Sequence, residues 1–164
     1  MVGDAPASGP TFESGEATVV LPAWAGHARM DGDLTDGTVT LIVMEGDPET
    51  FQEQIAWLQE NDAELYSVVM SALASEYRHF RNQYNYSPED KARLMPAIED
   101  ADELHGLVEL RSIHLHDESG TIAEGADWPT LGFDFACRWD SEHGCGVRTR
   151  GMSVDEAGLA DVAF

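Results

Sequence analysis

Leu131–Arg150, LGFDFACRWDSEHGCGVRTR, is the stretch whose reading decides the fold. In its first half Leu131, Phe133, Phe135, Cys137 and Trp139 fall on one side of an extended chain, with Asp134 and Arg138 on the other. A period of two is the mark of a strand with one buried face, because successive side chains point to opposite faces. Asp140–Gly144 (DSEHG) then reads as a turn. Cys145–Arg150 reads as the returning partner strand, with Cys145, Val147 and Thr149 on one face and Arg148 and Arg150 on the other.

The same period extends outward. Leu110–Asp117 (LRSIHLHD) sets Ile113 and Leu115 against Ser112, His114 and His116, and Gly151 turns the chain into Met152–Glu156. These segments predict a C-terminal antiparallel meander. Nearer the N-terminus, Glu16–Pro22 (EATVVLP) and Thr38–Met44 (TVTLIVM) read as two strands, with the turn cluster Asp31–Gly37 between them.

The middle of the chain changes period. Asp47-Pro48-Glu49 is a helix start, and Phe51, Ile55 and Leu58 recur on one helical face ending near Glu60. Leu65, Val69, Leu73, Tyr77 and Phe80 continue a second helix to about Asn82. Ser87-Pro88 opens a shorter one that Pro96 stops, and Asp100 with Glu103 resembles a capping box for a last helical turn. The fold class is therefore α+β: an antiparallel sheet of N-terminal strands plus the C-terminal meander, with a helical pair packed on one face. No alternating βαβ pattern points to a doubly wound nucleotide-binding fold. Residues 1–10 read as a flexible N-terminus and 11–164 as one domain.

Composition narrows the function classes. The chain holds 31 acidic residues against 9 basic ones, with Lys91 the only lysine, for a formal charge of −22. It is still 43% hydrophobic, enough apolar material to fold. Such a surface repels nucleic acid and anionic membranes and attracts a basic protein partner. Self-repulsion of this size is also what a high-salt host would tolerate, so salt adaptation is the competing reading. No apolar stretch approaches the roughly 20 residues of a membrane helix, and Met1–Pro10 lacks the features of a secretory signal. Cytoplasmic location with reduced thiols is the expectation, with Cys137 and Cys145 as buried inert thiols rather than a disulfide.

The run GFDFACRWDSEHGCGV, Gly132–Val147, is similar to the C-terminal signature of a bacterial domain-of-unknown-function family. Trp139-Asp140, Glu142-His143-Gly144, Gly146-Val147 and the tail Gly158-Leu159-Ala160-Asp161 carry the resemblance, and Ser141 departs from it where an acidic residue is common. The resemblance implies a fold and supplies no catalytic residues. It also implies that small acidic proteins of this kind can stand beside toxin genes as immunity proteins.

Three sets of residues are candidates for function. His114 and His116, two apart on a strand, with His143 and Asp140, form a polar cluster of the type that holds zinc or another metal. The competing reading is an exposed polar strand face and no cofactor. Trp139, Asp140, His143 and Gly144 read as a structural hairpin: Asp140 accepting turn N–H groups, Gly144 supplying a positive φ, His143 bonding across. Glu49, Glu53, Glu60, Glu64, Glu99, Asp102 and Glu103 on the helical segments are the expected contact with a basic partner. Arg78, His79 and Arg81 near Tyr84 and Tyr86 read as a solvated helix end. There is no G-x-x-x-x-G-K-[ST], no G-x-G-x-x-G after a strand and no H-E-x-x-H. The leading expectation is an acidic binding module, an immunity-type inhibitor of a basic toxin or enzyme. A metal-dependent or acid/base enzyme centred on the histidines is the alternative.

Overall fold

The period-two segments become strands in the computed structural model, which describes residues 15–27, 29, 32–43, 48–116 and 129–164. They are β1 (Glu16–Val20), β2 (Thr38–Val43), β3 (Val108–Leu115), β4 (Thr130–Cys137), β5 (Asp140–Arg150) and β6 (Ser153–Gly158), joined in one sheet in sequence order. Every neighbouring pair is antiparallel except β2 and β3, which run parallel. A tight turn cannot join parallel strands, so the chain crosses over between them. The crossover holds α1 (Pro48–Glu60), α2 (Asp62–Gln83), α3 (Pro88–Leu94) and a 3₁₀ helix, Ala101–Gly106. The protein is α+β, with a single parallel join that the sequence reading did not include. Residues 1–10 and Asp47, the expected N-cap of α1, lie outside the described residues.

One face of the sheet is apolar, and the register shows why. Leu41 pairs with Ile113, Ile113 with Phe133 and Phe133 with Val147, so one row of large side chains crosses four strands. All four are buried. Phe51, Ile55 and Leu58 of α1 and Leu65, Val69, Leu73, Tyr77 and Phe80 of α2 close over this face, as their helical spacing requires. Trp24, in a 3₁₀ turn after β1, lies with its ring centroid 4.8 Å from Tyr66, 5.8 Å from Phe135 and 6.0 Å from Phe133. The expected alternation on the apolar side of β4 is the foundation of the core.

Two expectations change. The β4–β5 turn is at Arg138-Trp139, and DSEHG belongs to β5, where Cys137 pairs with Asp140. Trp139 takes a turn position because its ring is only 2% exposed and meets Tyr77 edge-on at 4.9 Å. The second change concerns the other face of the sheet. His114 and Asp134 are 2% and 7% exposed, not solvent-facing. They are covered by Leu159–Phe164, a strap that leaves β6, forms a 3₁₀ turn at Ala160–Ala163 and lies across β4 and β5.

Candidate functional site

The covered face is built in rows. Thr40, Ser112, Asp134 and Gly146 share one row of the register, and Ile42, His114, Gly132 and Arg148 the next. His114 and His116 face the strap together: the His114 ring meets the Phe164 ring edge-on at 4.4 Å, and His116 Nε2 bonds the Ala163 carbonyl at 3.0 Å. Ser112 Oγ lies 3.2 Å from His114 Nε2, and Arg111 reaches Asp134 at 2.9 Å. Burial lowers the His114 pKa and His116 adds to this, with Asp134 acting in the opposite sense, so the ring is held neutral. Its Nδ1 is buried without a hydrogen-bond partner.

His143 and Asp140 are elsewhere. Asp140 pairs with Cys137, whose side chain faces the helices, and its carboxylate accepts the hydroxyl of Tyr84 just after α2. The other oxygen accepts the N–H groups of Glu142 (3.2 Å) and His143 (3.0 Å), and His143 Nδ1 lies 3.0 Å from the carboxylate. The four residues of the expected metal set thus divide between opposite faces of the sheet. Among the described residues no three His, Cys, Asp or Glu side chains converge as a metal site. Burial pushes the Asp140 carboxyl up, but the Tyr84 and His143 bonds outweigh it and hold the pKa below the ordinary value.

Gly144 has φ +64°, and His143 bonds within its own strand rather than across the hairpin. In the basic–aromatic mix at the end of α2 the tyrosines hold this tip, whereas Arg78 and His79 are exposed, as a solvated helix end would be, and the arginines reach the segment after α3. Arg78 donates to the Glu99 carbonyl (3.0 Å) and Arg81 to the Met95 carbonyl (2.7 Å). Tyr84 and Tyr86 stack at 5.6 Å, Tyr86 donating to the Trp139 carbonyl. The two thiols are free and buried; burial, with Cys137 adjacent, raises the Cys145 pKa.

The carboxylates chosen for partner contact lie on the helical side. Glu53, Glu60, Glu64, Glu99, Asp102 and Glu103 are exposed, whereas the side chain of Glu49 lies outside the described residues. Glu103 is already engaged: it accepts the N–H groups of Asp100 (2.8 Å) and Glu99, which lower its pKa. Between α2 and the Ala101–Gly106 helix runs an open groove of about 410 Å³ with Ser67, Met70 and Ser71 on one wall and Asp100, Asp102 and His105 on the other. At its end His27, Tyr66 and His105 gather beside Asp102. Burial and the nearby His105 lower the His27 pKa, against the pull of Asp102. Sequence reasoning missed His27, since a lone histidine in a turn carries no periodic signal.

A family described as a domain of unknown function, DUF6985, matches residues 15–164. The chain belongs to this family. The DUF6985 match runs from β1 through the strap, so the covered polar face, the clamped hairpin and the acidic groove all lie within it. No curated protein and no solved structure matches the chain. None of the described helices is long and apolar enough to cross a membrane.

Proposed function

We propose that this DUF6985 protein is a binding module whose helical side receives a basic protein, in the manner of an immunity-type inhibitor. One observation carries the reading: residues 30–77, which include α1 and most of α2, contain 11 Asp and Glu residues and no Lys, Arg or His. Elsewhere four of the nine cations are paired with acids, Arg93 with Asp90, Arg111 with Asp134, and Arg148 and Arg150 with Asp155. Within residues 30–77, Glu53, Glu60 and Glu64 stand exposed on α1 and the first turn of α2 with no cation on either helix before Arg78. The groove beside α2 offers Asp100 and Asp102 to an entering arginine or lysine, with Met70 to pack against its stem. Charge of this kind accelerates encounter with a cationic partner and selects against anionic ones.

The reading includes a cytoplasmic, bacterial setting, with Trp139-Asp140 and Glu142-His143-Gly144 as a family signature that holds the fold. It involves no nucleic acid, no membrane and no cofactor. The test is affinity capture of the tagged protein from its native lysate in moderate salt. A stoichiometric basic protein should co-elute with the wild type and be lost with Glu53→Lys/Glu60→Lys/Glu64→Lys. Equal capture by both proteins refutes the helical side as the contact. Unfolding of the wild type at low ionic strength, with no partner retained, would assign the acidity to salt adaptation instead.

A further inference from the structure

The strap rests on positions where side chains are missing. A Cβ on Gly132 would lie 1.9 Å from the Ala163 carbonyl oxygen, and one on Gly146 would lie 3.0 Å from that of Leu159. Gly144 admits the methyl group of Ala160 in the same way, at 3.3 Å. Ala160 and Ala163 are buried in this glycine-floored channel, and Phe164 leans on His114. The channel therefore accepts a backbone with small residues three apart, followed by an aromatic ring.

Three features mark the strap as exchangeable. Its own bonds, Val162 N–H to Leu159 and Phe164 N–H to Asp161, are internal, so it can leave as a unit. A hydrogen bond between His116 and Ala163 ties it to the sheet, and Leu159 and Phe164 remain 40% and 55% exposed. Beneath it, His114 Nδ1 is buried with no partner, a cost of the closed state that opening removes.

We infer that the second face of the sheet is a peptide-binding channel, filled in cis by Leu159–Phe164, that takes an Ala-x-x-Ala-aromatic segment of another polypeptide when the strap lifts. The occupant's chemistry is read from the segment already seated there. A short linker gives the cis segment a high effective concentration, so the closed form is the resting state. The channel lies on the opposite face from α1 and α2 and does not depend on the acidic-side reading.

The test uses full-length chains and a fluorescent peptide of residues 158–164, GLADVAF. Ala163→Asp/Phe164→Ser empties the channel without altering its floor. This variant should bind the peptide while the wild type does not, and the peptide should return the His114 and His116 ring resonances to their wild-type positions. Adding Gly132→Ala should abolish binding. A folded double variant that ignores the peptide overturns the inference, as does binding that survives Gly132→Ala. Should the double variant not fold, Phe164→Ser alone removes the ring that leans on His114 and so weakens the cis occupant; it should bind the peptide at least tenfold more tightly than wild type, and equal binding overturns the inference.

Discussion

Residues 132 and 133 are neighbours on β4, yet they face different kinds of cover. Phe133 points into a core closed by two long helices, where large side chains interlock. Gly132 points at a six-residue strap whose backbone can approach only because there is no side chain. The same sheet is thus sealed on one face by bulk and on the other by its absence. The charges differ as well: α1 and α2 as far as Tyr77 carry carboxylates without a cation, while on the strap face Arg111 and Arg148 are paired with Asp134 and Asp155. One face is built for stability with a charged exterior, the other for close fit.

The contrast is sharpest in what adjacent substitutions do. Phe133→Ala should cost about 3–5 kcal/mol by leaving a core cavity, and calorimetry should show the melting temperature falling by roughly 10 °C for a chain of this size. A loss below about 1 kcal/mol would mean the helical cover is not well packed. Tyr84→Phe, which removes a donor to the buried-edge carboxylate of Asp140, should cost about 1.5–3 kcal/mol. It should also raise the Asp140 pKa, measurable by carboxyl NMR titration; an unmoved pKa would contradict the clamp. Gly132→Ala should cost about 1–3 kcal/mol, and the loss should be local. Amide exchange should quicken at Ala160–Phe164 and stay slow in α1 and α2, and uniform acceleration would erase the distinction between the faces.

Mild acidification is the gentlest probe. His114 on the strap side and His27 on the helical side are both held neutral by burial, their pKa values below the ordinary 6.5. The unfolded chain takes up protons near 6.5 that the folded chain refuses, so this stability is present above that pH and is lost as the pH falls below it. Denaturant midpoints should drop between about pH 7 and pH 5, and His114→Gln should flatten part of that slope. An unchanged slope would mean that His114 titrates freely.

Much of the helical side was legible in the sequence because bulk leaves a periodic trace. Phe51, Ile55 and Leu58, and Phe133, Phe135 and Cys137, repeat at the helical and extended periods, and all are buried. The strap side was not legible. Its signal is glycine at 132, 144 and 146 and a segment too short to show a period. His114 and Asp134 alternate correctly with the apolar residues and so read as exposed; only the strap buries them. The β4–β5 turn was misplaced for a related reason. DSEHG is made of turn-forming residues, but Asp140 uses its carboxylate to hold the N–H groups of Glu142 and His143 at the start of a strand, and burial of Trp139 against Tyr77 sets the turn. The expected metal set is split, with His114 and His116 on one face and Asp140 and His143 on the other, which spacing along the chain cannot reveal.

The most direct test of the acidic helical side as a binding surface is the association of an arginine-rich peptide, followed by stopped-flow fluorescence at low and moderate salt. Wild type should associate fast at low salt and slow markedly as salt screens the field. Glu53→Lys/Glu60→Lys/Glu64→Lys should lose most of that rate, and Asp155→Lys/Glu156→Lys on the strap side little of it. Equal losses from the two reversals, or a rate indifferent to salt, would contradict the account.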